Sequence, residues 1–239
     1  MNKAIINFID KRFYSQFPVN WDNKLFRKKI LAVIKPQDVM LDLGAGSGYV
    51  KEMNFKNEVR EVTGIDMDPD ISKNPFLHQY VFGSVYDLSD FEKEKFDVII
   101  CNSVIEHIEN PEKFVSELSR VLKPGGYFLA KTPNRNNYMP LAARLTPLSF
   151  HKWYNKKRGR PEEHTFPTYY RLNTSRAVKK YFSVNVFESV RIETFEGPPS
   201  YLRFNFIFYL IGWIYERMVT IFNLDSFKMV MIFSAKKKN

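Results

Sequence analysis

The chain has a single cysteine, no long apolar run and no internal repeat. Because the lone Cys101 cannot form an intramolecular disulfide, the sequence fits a reducing compartment. Residues 1–11 mix charged and apolar side chains and lack the apolar core of a signal peptide. A bilayer-spanning helix needs ~20 apolar residues, and the run at 204–215 falls short of that length. We therefore expect a cytoplasmic protein that does not cross a membrane.

The composition is that of a folded domain with a basic surface. A length of 239 residues with 44% hydrophobic residues suits one domain over 1–239. The net charge of +10 favours anionic partners, namely phosphorylated substrates, nucleic acid or an acidic membrane surface.

Short β-rich runs alternate with helical stretches in the first half, which predicts a parallel sheet covered by helices. The predicted strands are 39–43, 62–66, 80–85, 96–101, 127–132, 185–193 and 228–235. The predicted helices are 23–34, 111–122 and 174–182. Two segments depart from this alternation: a proline-containing, basic excursion at about 134–172 and an aromatic insert at about 197–227.

A glycine-rich turn follows the first predicted strand. Glycines at 44, 46 and 48 would let the backbone approach a ligand where a Cβ would clash, and a helix beginning after the turn would offer free amide donors. A nicotinamide-binding turn has the pattern G-x-G-x-x-G, whereas here the third glycine comes one residue early and Tyr49 takes its place. A tight turn that binds nothing is the simpler interpretation of the glycines alone.

Further motifs favour a ligand. Asp66 ends the second predicted strand, where a carboxylate can accept hydrogen bonds from both ribose hydroxyls of an adenosyl group. The sequence CNSVIEHIENP ends the fourth strand, and LKPGG precedes the fifth. In order and spacing, residues 39–134 resemble the class I S-adenosylmethionine-dependent methyltransferases, with motif-level similarity to the ubiquinone-pathway O-methyltransferases.

This resemblance implies a fold, a cofactor and a set of binding residues. The fold is α/β: a Rossmann-like, seven-stranded, mostly parallel sheet with an antiparallel last strand and helices on both faces. The cofactor is S-adenosylmethionine, with Asp42, Gly44, Gly46 and Asn102 at its methionine end and Asp66 at its ribose. The residues assigned to the adenine are Met67, Ser84 and Val85; many relatives have an aspartate where Ser84 stands.

Two histidines are candidate bases. His107 follows the fourth strand, where acceptor-facing residues of this fold commonly emerge, although it could instead cap or pack at the next helix. His164 lies in the excursion and would act over the acceptor, unless it is a solvated loop residue. Some relatives hold a divalent metal here, but Ser103 replaces an expected glutamate, and we predict no metal.

Cations and aromatic residues are concentrated outside the cofactor motifs. The sequence HKWYNKKRGR at 151–160 could bind phosphates or could be a solvated loop. The insert could lie in a membrane interface, form a homodimer contact or line an acceptor pocket. The first of these would make the protein peripheral to an anionic membrane.

The leading hypothesis is O-methylation of a small or lipid-linked acceptor, such as a quinone precursor or a glycan intermediate. An RNA or protein methyltransferase is the second enzymatic interpretation, suggested by the net charge and the basic cluster. A catalytically inactive, cofactor-binding partner subunit is the non-enzymatic alternative.

Overall fold

A computed structural model of the chain describes residues 2–145, 166–182 and 186–239. The chain divides into two compact units, each assembled from three segments. The first unit contains Met1–Trp21, Pro133–Pro167 and Thr194–Met231. The second contains Asp22–Thr132, Thr168–Glu193 and Ile232–Asn239. That the chain acts as one functional domain stays a prediction.

Seven strands form one sheet in the order β3-β2-β1-β4-β5-β7-β6. The strands are β1 (Val39–Leu43), β2 (Glu61–Asp66), β3 (Gln79–Phe82), β4 (Phe96–Asn102), β5 (Leu122–Pro133), β6 (Phe187–Phe195) and β7 (Val230–Lys237). Strands β1 to β5 pair in parallel, and the last strands are antiparallel. The predicted Rossmann-like sheet is confirmed, with all seven strands close to their predicted positions.

Six α-helices lie among the described residues. They are α1 (Asn2–Phe13), α2 (Trp21–Leu31), α3 (Pro111–Val121), α4 (Tyr138–Leu145), α5 (Ser175–Tyr181) and α6 (Phe206–Ile221). Helix α3 begins with Pro111, and the Asn110 side chain caps it by accepting a hydrogen bond from the Lys113 N–H at 3.0 Å. The predicted helices over 23–34, 111–122 and 174–182 correspond to α2, α3 and α5.

The prediction of a helix directly after the glycine-rich turn is wrong. Residues 44–50 form turns, and Lys51–Met53 makes a single 3₁₀ turn. The Arg27 guanidinium donates to the carbonyls of Glu52 and Asn54 at 3.1 and 2.6 Å, so it occupies acceptors that a continuing helix would use. Amide donors at this edge of the sheet therefore come from the turn itself rather than from a helix end.

Strand β5 begins five residues earlier than the sequence pattern predicted. The Pro124-Gly125-Gly126 segment lies inside it, and the pairing with β4 changes register between Phe96 and Val98. Gly125 has φ of +72°, which glycine adopts without strain. The strand thus absorbs the turn as an irregularity rather than starting after it.

The core of the second unit is aromatic. Phe128 on β5 is fully buried and stacks on Phe182 with ring centroids 5.4 Å apart. The rings of Phe114 and Phe233 meet Phe128 edge-on at 6.1 and 5.7 Å. These contacts bring α3, β7 and the residue after α5 against the middle of the sheet.

The first unit packs α1 against α6. Ile6, Ile9 and Tyr14 form its buried apolar cluster with Tyr209. The Glu216 carboxylate is buried beside them and accepts hydrogen bonds from Tyr14 at 2.7 Å and from Arg217. The insert predicted at 197–227 is thus built around a helix. No helix among the described residues is long and apolar enough to cross a bilayer.

We expect Phe128→Ala to lower the free energy of unfolding by ~3–5 kcal/mol, because it removes a buried ring and leaves a cavity. Phe82→Ala, which truncates an exposed phenylalanine on β3, is the matched control and should change it by less than ~1 kcal/mol. Urea unfolding followed by circular dichroism measures both. Equal losses in the two variants would contradict the assignment of the core.

Candidate active site

The turn after β1 depends on three glycines with positive φ. Gly44, Gly46 and Gly48 have φ of +73°, +52° and +83°. A Cβ on Gly44 would lie 2.2 Å from Val104 Cγ2, and one on Gly48 would lie 2.7 Å from Asn74 Oδ1. Around Gly46, by contrast, the nearest heavy atom to such a Cβ would be 4.0 Å away. Packing therefore excludes side chains at 44 and 48, while the surface of Gly46 stays open for a ligand.

Two side chains hold this turn in place. The Asp66 carboxylate accepts hydrogen bonds from the N–H groups of Gly46 and Asp68, each at 2.8 Å. The Asn74 side-chain amide donates to the carbonyls of Ala45 and Gly46, both at 3.0 Å. Asn74 could not be identified from the sequence, because its position beyond β2 carries no recognisable motif. The protein's own hydrogen bonds thus hold the turn in place, which favours a preorganised site.

A buried carboxyl lies beneath the turn. Asp42 on β1 is 6% exposed. Burial, together with the nearby Asp66 carboxylate, raises the pKa of Asp42 to about 8. A positively charged group bound here would stabilise the ionised form of Asp42 and relieve its repulsion with Asp66.

These features fit S-adenosylmethionine, which carries a sulfonium and an amino group. The open surface at Gly46 gives room for a ligand, Asp66 supplies a carboxylate, and Asp42 would supply a second negative charge once a bound cation favours its ionised form. Met67 follows Asp66 and is 55% exposed, so an apolar surface is available beside the predicted ribose site. Ser84 and Val85 are half-buried just after β3, and the Gly83 N–H donates to the Asp66 carbonyl at 2.9 Å. The predicted cofactor residues on β1, β2 and β3 therefore share one edge of the sheet.

A polar cluster lies at the ends of β4 and β5. Asn102 pairs in register with Lys131, and its side-chain amide donates to Asn23 Oδ1 at 3.3 Å. The Lys131 ammonium is buried, forms an ion pair with Asp22 at 2.5 Å and also donates to Asn23. The cluster attaches the start of α2 to the predicted methionine end of the site. The sequence analysis missed Lys131, although a lysine within an apolar strand is a signal that could have identified it.

His107 lies in a separate turn between β4 and α3. Ile105–His107 forms a 3₁₀ turn, and the imidazole is half-buried. Of the alternative that His107 caps or packs at the next helix, the capping part is wrong, because Asn110 caps α3, and the packing part stays a prediction.

Glu106, the neighbour of His107, is anchored from two sides. Its buried carboxyl accepts a hydrogen bond from the Thr132 hydroxyl at 2.9 Å, and its carbonyl accepts from the N–H groups of Tyr169 and Tyr170 at 2.8 and 3.1 Å. Burial raises the pKa of Glu106, while the neighbouring His107 opposes that shift. The turn that carries His107 is thus tied to β5 and to the segment preceding α5.

The second candidate base, His164, and the basic cluster at 151–160 lie outside the described residues. Within the described ranges, no group of three His, Cys, Asp or Glu side chains is arranged to hold a metal ion.

We expect Asp66→Asn to weaken S-adenosylhomocysteine binding by ~1–3 kcal/mol, because the variant loses a charged acceptor for the ribose and for the loop amides. Asp70→Asn, at a half-buried position in the turn after β2, is the matched control for the half-buried Asp66 and should bind normally. Isothermal titration calorimetry measures both affinities, with circular dichroism to confirm folding. An unchanged affinity in Asp66→Asn would contradict the assignment of Asp66 to the ribose of the cofactor.

Asp42 also predicts a pH dependence of stability. The pKa of Asp42 is about 8 in the folded chain, against an ordinary value of 3.8. Between pH 3.8 and about pH 8, the folded chain therefore keeps a proton on Asp42 that the unfolded chain has lost. Its contribution to stability is therefore complete below pH 3.8 and is lost as the pH rises through about 8. The steepest loss is ~1.4 kcal/mol per pH unit.

The test compares unfolding of the ligand-free wild type and Asp42→Asn from pH 5 to pH 9. The variant should gain stability relative to wild type as the pH rises, while the exposed Asp90→Asn should keep a constant difference. A difference between Asp42→Asn and wild type that does not vary with pH would rule out a neutral Asp42.

Comparisons with known proteins agree with this geometry. Residues 41–130 match the family described as "Methyltransferase domain". The chain is 32% identical over 130 residues to the ubiquinone biosynthesis O-methyltransferase of Alkalilimnicola ehrlichii, covering 48% of this chain and 52% of that protein. It is 29% identical over 144 residues to the enzyme of that name from Coxiella burnetii, covering 52% and 61%. The matches thus span little more than half the length of these relatives.

Solved structures share the fold across nearly the whole chain. A SAM-dependent methyltransferase from Archaeoglobus fulgidus aligns with a TM-score of 0.60 at 17% identity, covering 98% of this chain and 99% of that one. A phosphoethanolamine N-methyltransferase from Haemonchus contortus, solved with phosphomonomethylethanolamine and S-adenosylhomocysteine, aligns with a TM-score of 0.57 at 16% identity, covering 98% and 60%.

The glycine turn, the strand-end carboxylates and the match over 41–130 lead to one assignment. Residues 41–130 belong to a methyltransferase domain of the class I, S-adenosylmethionine-dependent type, and the cofactor that this site takes is S-adenosylmethionine.

Proposed function

We propose that the chain methylates a hydroxyl oxygen of a small or lipid-linked acceptor, with His107 as the base. The observation that carries the proposal is the position of His107, on an anchored turn after β4, the strand that ends in Asn102, which the proposal assigns to the methionine end of the cofactor. The O-methyltransferase names of the relatives from Alkalilimnicola and Coxiella support oxygen as the acceptor atom.

The cofactor supplies a methyl group already activated by its sulfonium, so the protein mainly has to align the acceptor. In this proposal Asp42, Gly44, Gly46 and Asn102 hold the methionine end, and Asp66 orients the ribose. The adenine contacts are assigned to Met67, Ser84 and Val85. Fixing two reactants in line converts a bimolecular step into an effectively unimolecular one. The hydrogen bonds of Asp66 and Asn74 within the turn supply the required rigidity.

His107 would accept the hydroxyl proton as the oxygen attacks the methyl carbon. Its geometry depends on Glu106, because the carboxyl of Glu106 is bound to Thr132 and its carbonyl to the backbone of Tyr169 and Tyr170. Thr132 in turn accepts a hydrogen bond from the Asn173 side chain at 2.5 Å. This chain of contacts limits how far the turn can move. Glu106 is therefore assigned a positioning role, distinct from proton transfer.

We expect His107→Gln to lower kcat by ~10²- to 10⁴-fold, because it removes a general base, and to leave S-adenosylhomocysteine affinity within about twofold. His78→Gln is the matched control: His78 is an exposed histidine just before β3, and its loss should leave kcat unchanged. Transfer of a labelled methyl group is measured on hydroxylated aromatic acceptors with and without an isoprenoid tail.

Two results would contradict the proposal. Wild-type turnover in His107→Gln would exclude His107 as the base. Cofactor binding without methyl transfer to any hydroxyl acceptor would instead favour the inactive-subunit alternative, and transfer to RNA or protein would move the acceptor to another class.

A further inference from the structure

One face of α6 is apolar and exposed along its full length. Five aliphatic side chains spaced three or four residues apart lie on it, between 47% and 73% exposed: Ile207, Ile211, Ile214, Met218 and Ile221. Phe204, Phe208 and Phe222 extend this apolar stripe at both ends, and each is at least 49% exposed. A helix of a globular domain normally turns such a stripe towards the core. Here the core contacts are made by a different face, on which Tyr209, Gly212, Glu216 and Val219 are buried.

The stripe carries no exposed charge. The charged residues of α6 are Glu216 and Arg217, and they bind each other, with Glu216 buried. A long, uncharged apolar surface of this kind marks a site of association.

Helix α1, which packs against α6, adds exposed apolar and cationic side chains. Ile5 and Phe8 are 36% and 67% exposed, whereas Ile6 and Ile9 are buried against Tyr209. Lys3, Lys11 and Arg12 are exposed on the same helix, and among the described residues neither lysine has an ion-pair partner. Arg203, just before α6, is paired with Asp10 of α1. The acidic residue of α1 is thus neutralised, and an excess of positive charge remains beside the apolar stripe.

We infer that this α1–α6 surface binds an anionic lipid bilayer, with the stripe in the interfacial layer and the α1 lysines at the headgroups. Apolar side chains flanked by cations are the pattern of helices that lie on a membrane without crossing it. Charge complementarity favours an anionic bilayer over a second copy of the chain, because a second copy would present the same excess of positive charge. The inference is independent of the acceptor atom and of His107.

The experiment is flotation of purified protein with phosphatidylcholine vesicles, with or without phosphatidylserine, at low and high salt. We expect binding to the anionic vesicles that weakens with salt. Ile211→Asp should lower the partition coefficient by about tenfold or more. Tyr80→Asp is the matched control: Tyr80 on β3 is 53% exposed, close to the 56% of Ile211, and its replacement should have little effect.

A second pair of variants tests the charges. Lys3→Gln with Lys11→Gln should lower binding to anionic vesicles about fivefold per lysine and leave binding to neutral vesicles unchanged. Lys28→Gln with Lys35→Gln removes the same charge from exposed lysines in and after α2 and serves as the control.

Three results would overturn the inference. The first is no flotation with either kind of vesicle, and the second is an equal loss of vesicle binding in Ile211→Asp and Tyr80→Asp. The third is a protein that does not bind vesicles but forms a dimer, which Ile211→Asp converts to a monomer. Methyl transfer to a water-soluble acceptor, measured in parallel, separates failure of this inference from failure of the proposed function.

Discussion

The backbone of the turn after β1 is the constraint on which the cofactor edge of the sheet depends. Gly44 has no space for a Cβ against Val104, and Gly48 has none against Asn74. With glycine at both positions, the chain turns tightly enough to bring the Gly46 N–H to Asp66 on the neighbouring strand. That hydrogen bond links β1 to β2 beyond their last paired residues. The site is therefore a property of the backbone path as much as of its side chains.

The electrostatics of the site follow from the same geometry. Tight packing buries Asp42 and places it near Asp66, so burial and repulsion both oppose its ionisation. An apolar residue at position 42 would avoid this cost, but it would offer nothing to a cationic ligand. The unfavourable carboxyl is thus consistent with binding rather than with stability, as is common where a site is built into a folded core.

The sequence predicted the sheet well because parallel strands that are buried on both faces produce compact apolar runs, as at Val39–Leu43 and Phe96–Asn102. It also placed Asp66 and Asn102 at strand ends, which share an edge in any parallel sheet. The absence of a helix after the glycine turn could not be predicted, because the carbonyls of Glu52 and Asn54 accept from Arg27, a residue about 25 positions earlier in the chain.

The polar cluster at Lys131 escaped prediction for a related reason. A lysine in a strand can be an edge residue or a buried ion pair, and the pattern does not distinguish the two. What determines its state is Asp22 at the start of α2, more than 100 residues earlier in the chain. Long-range pairs of this kind have no local signature, so the sequence indicates that a site exists more readily than it indicates what surrounds it.

The order of the last strands has a consequence for how the chain reaches its native state. Strand β7 lies between β5 and β6 although it comes last in sequence, and the whole of α6 separates it from β6. Until β7 arrives, β6 has no neighbour in the sheet and its backbone donors and acceptors stay unpaired. Completing the sheet requires closing a long loop, which slows folding and leaves an exposed strand edge on the way. Early formation of α6 would shorten that loop and so lower the entropic cost of closing it. The insert therefore affects the rate of folding in addition to forming an exposed apolar surface.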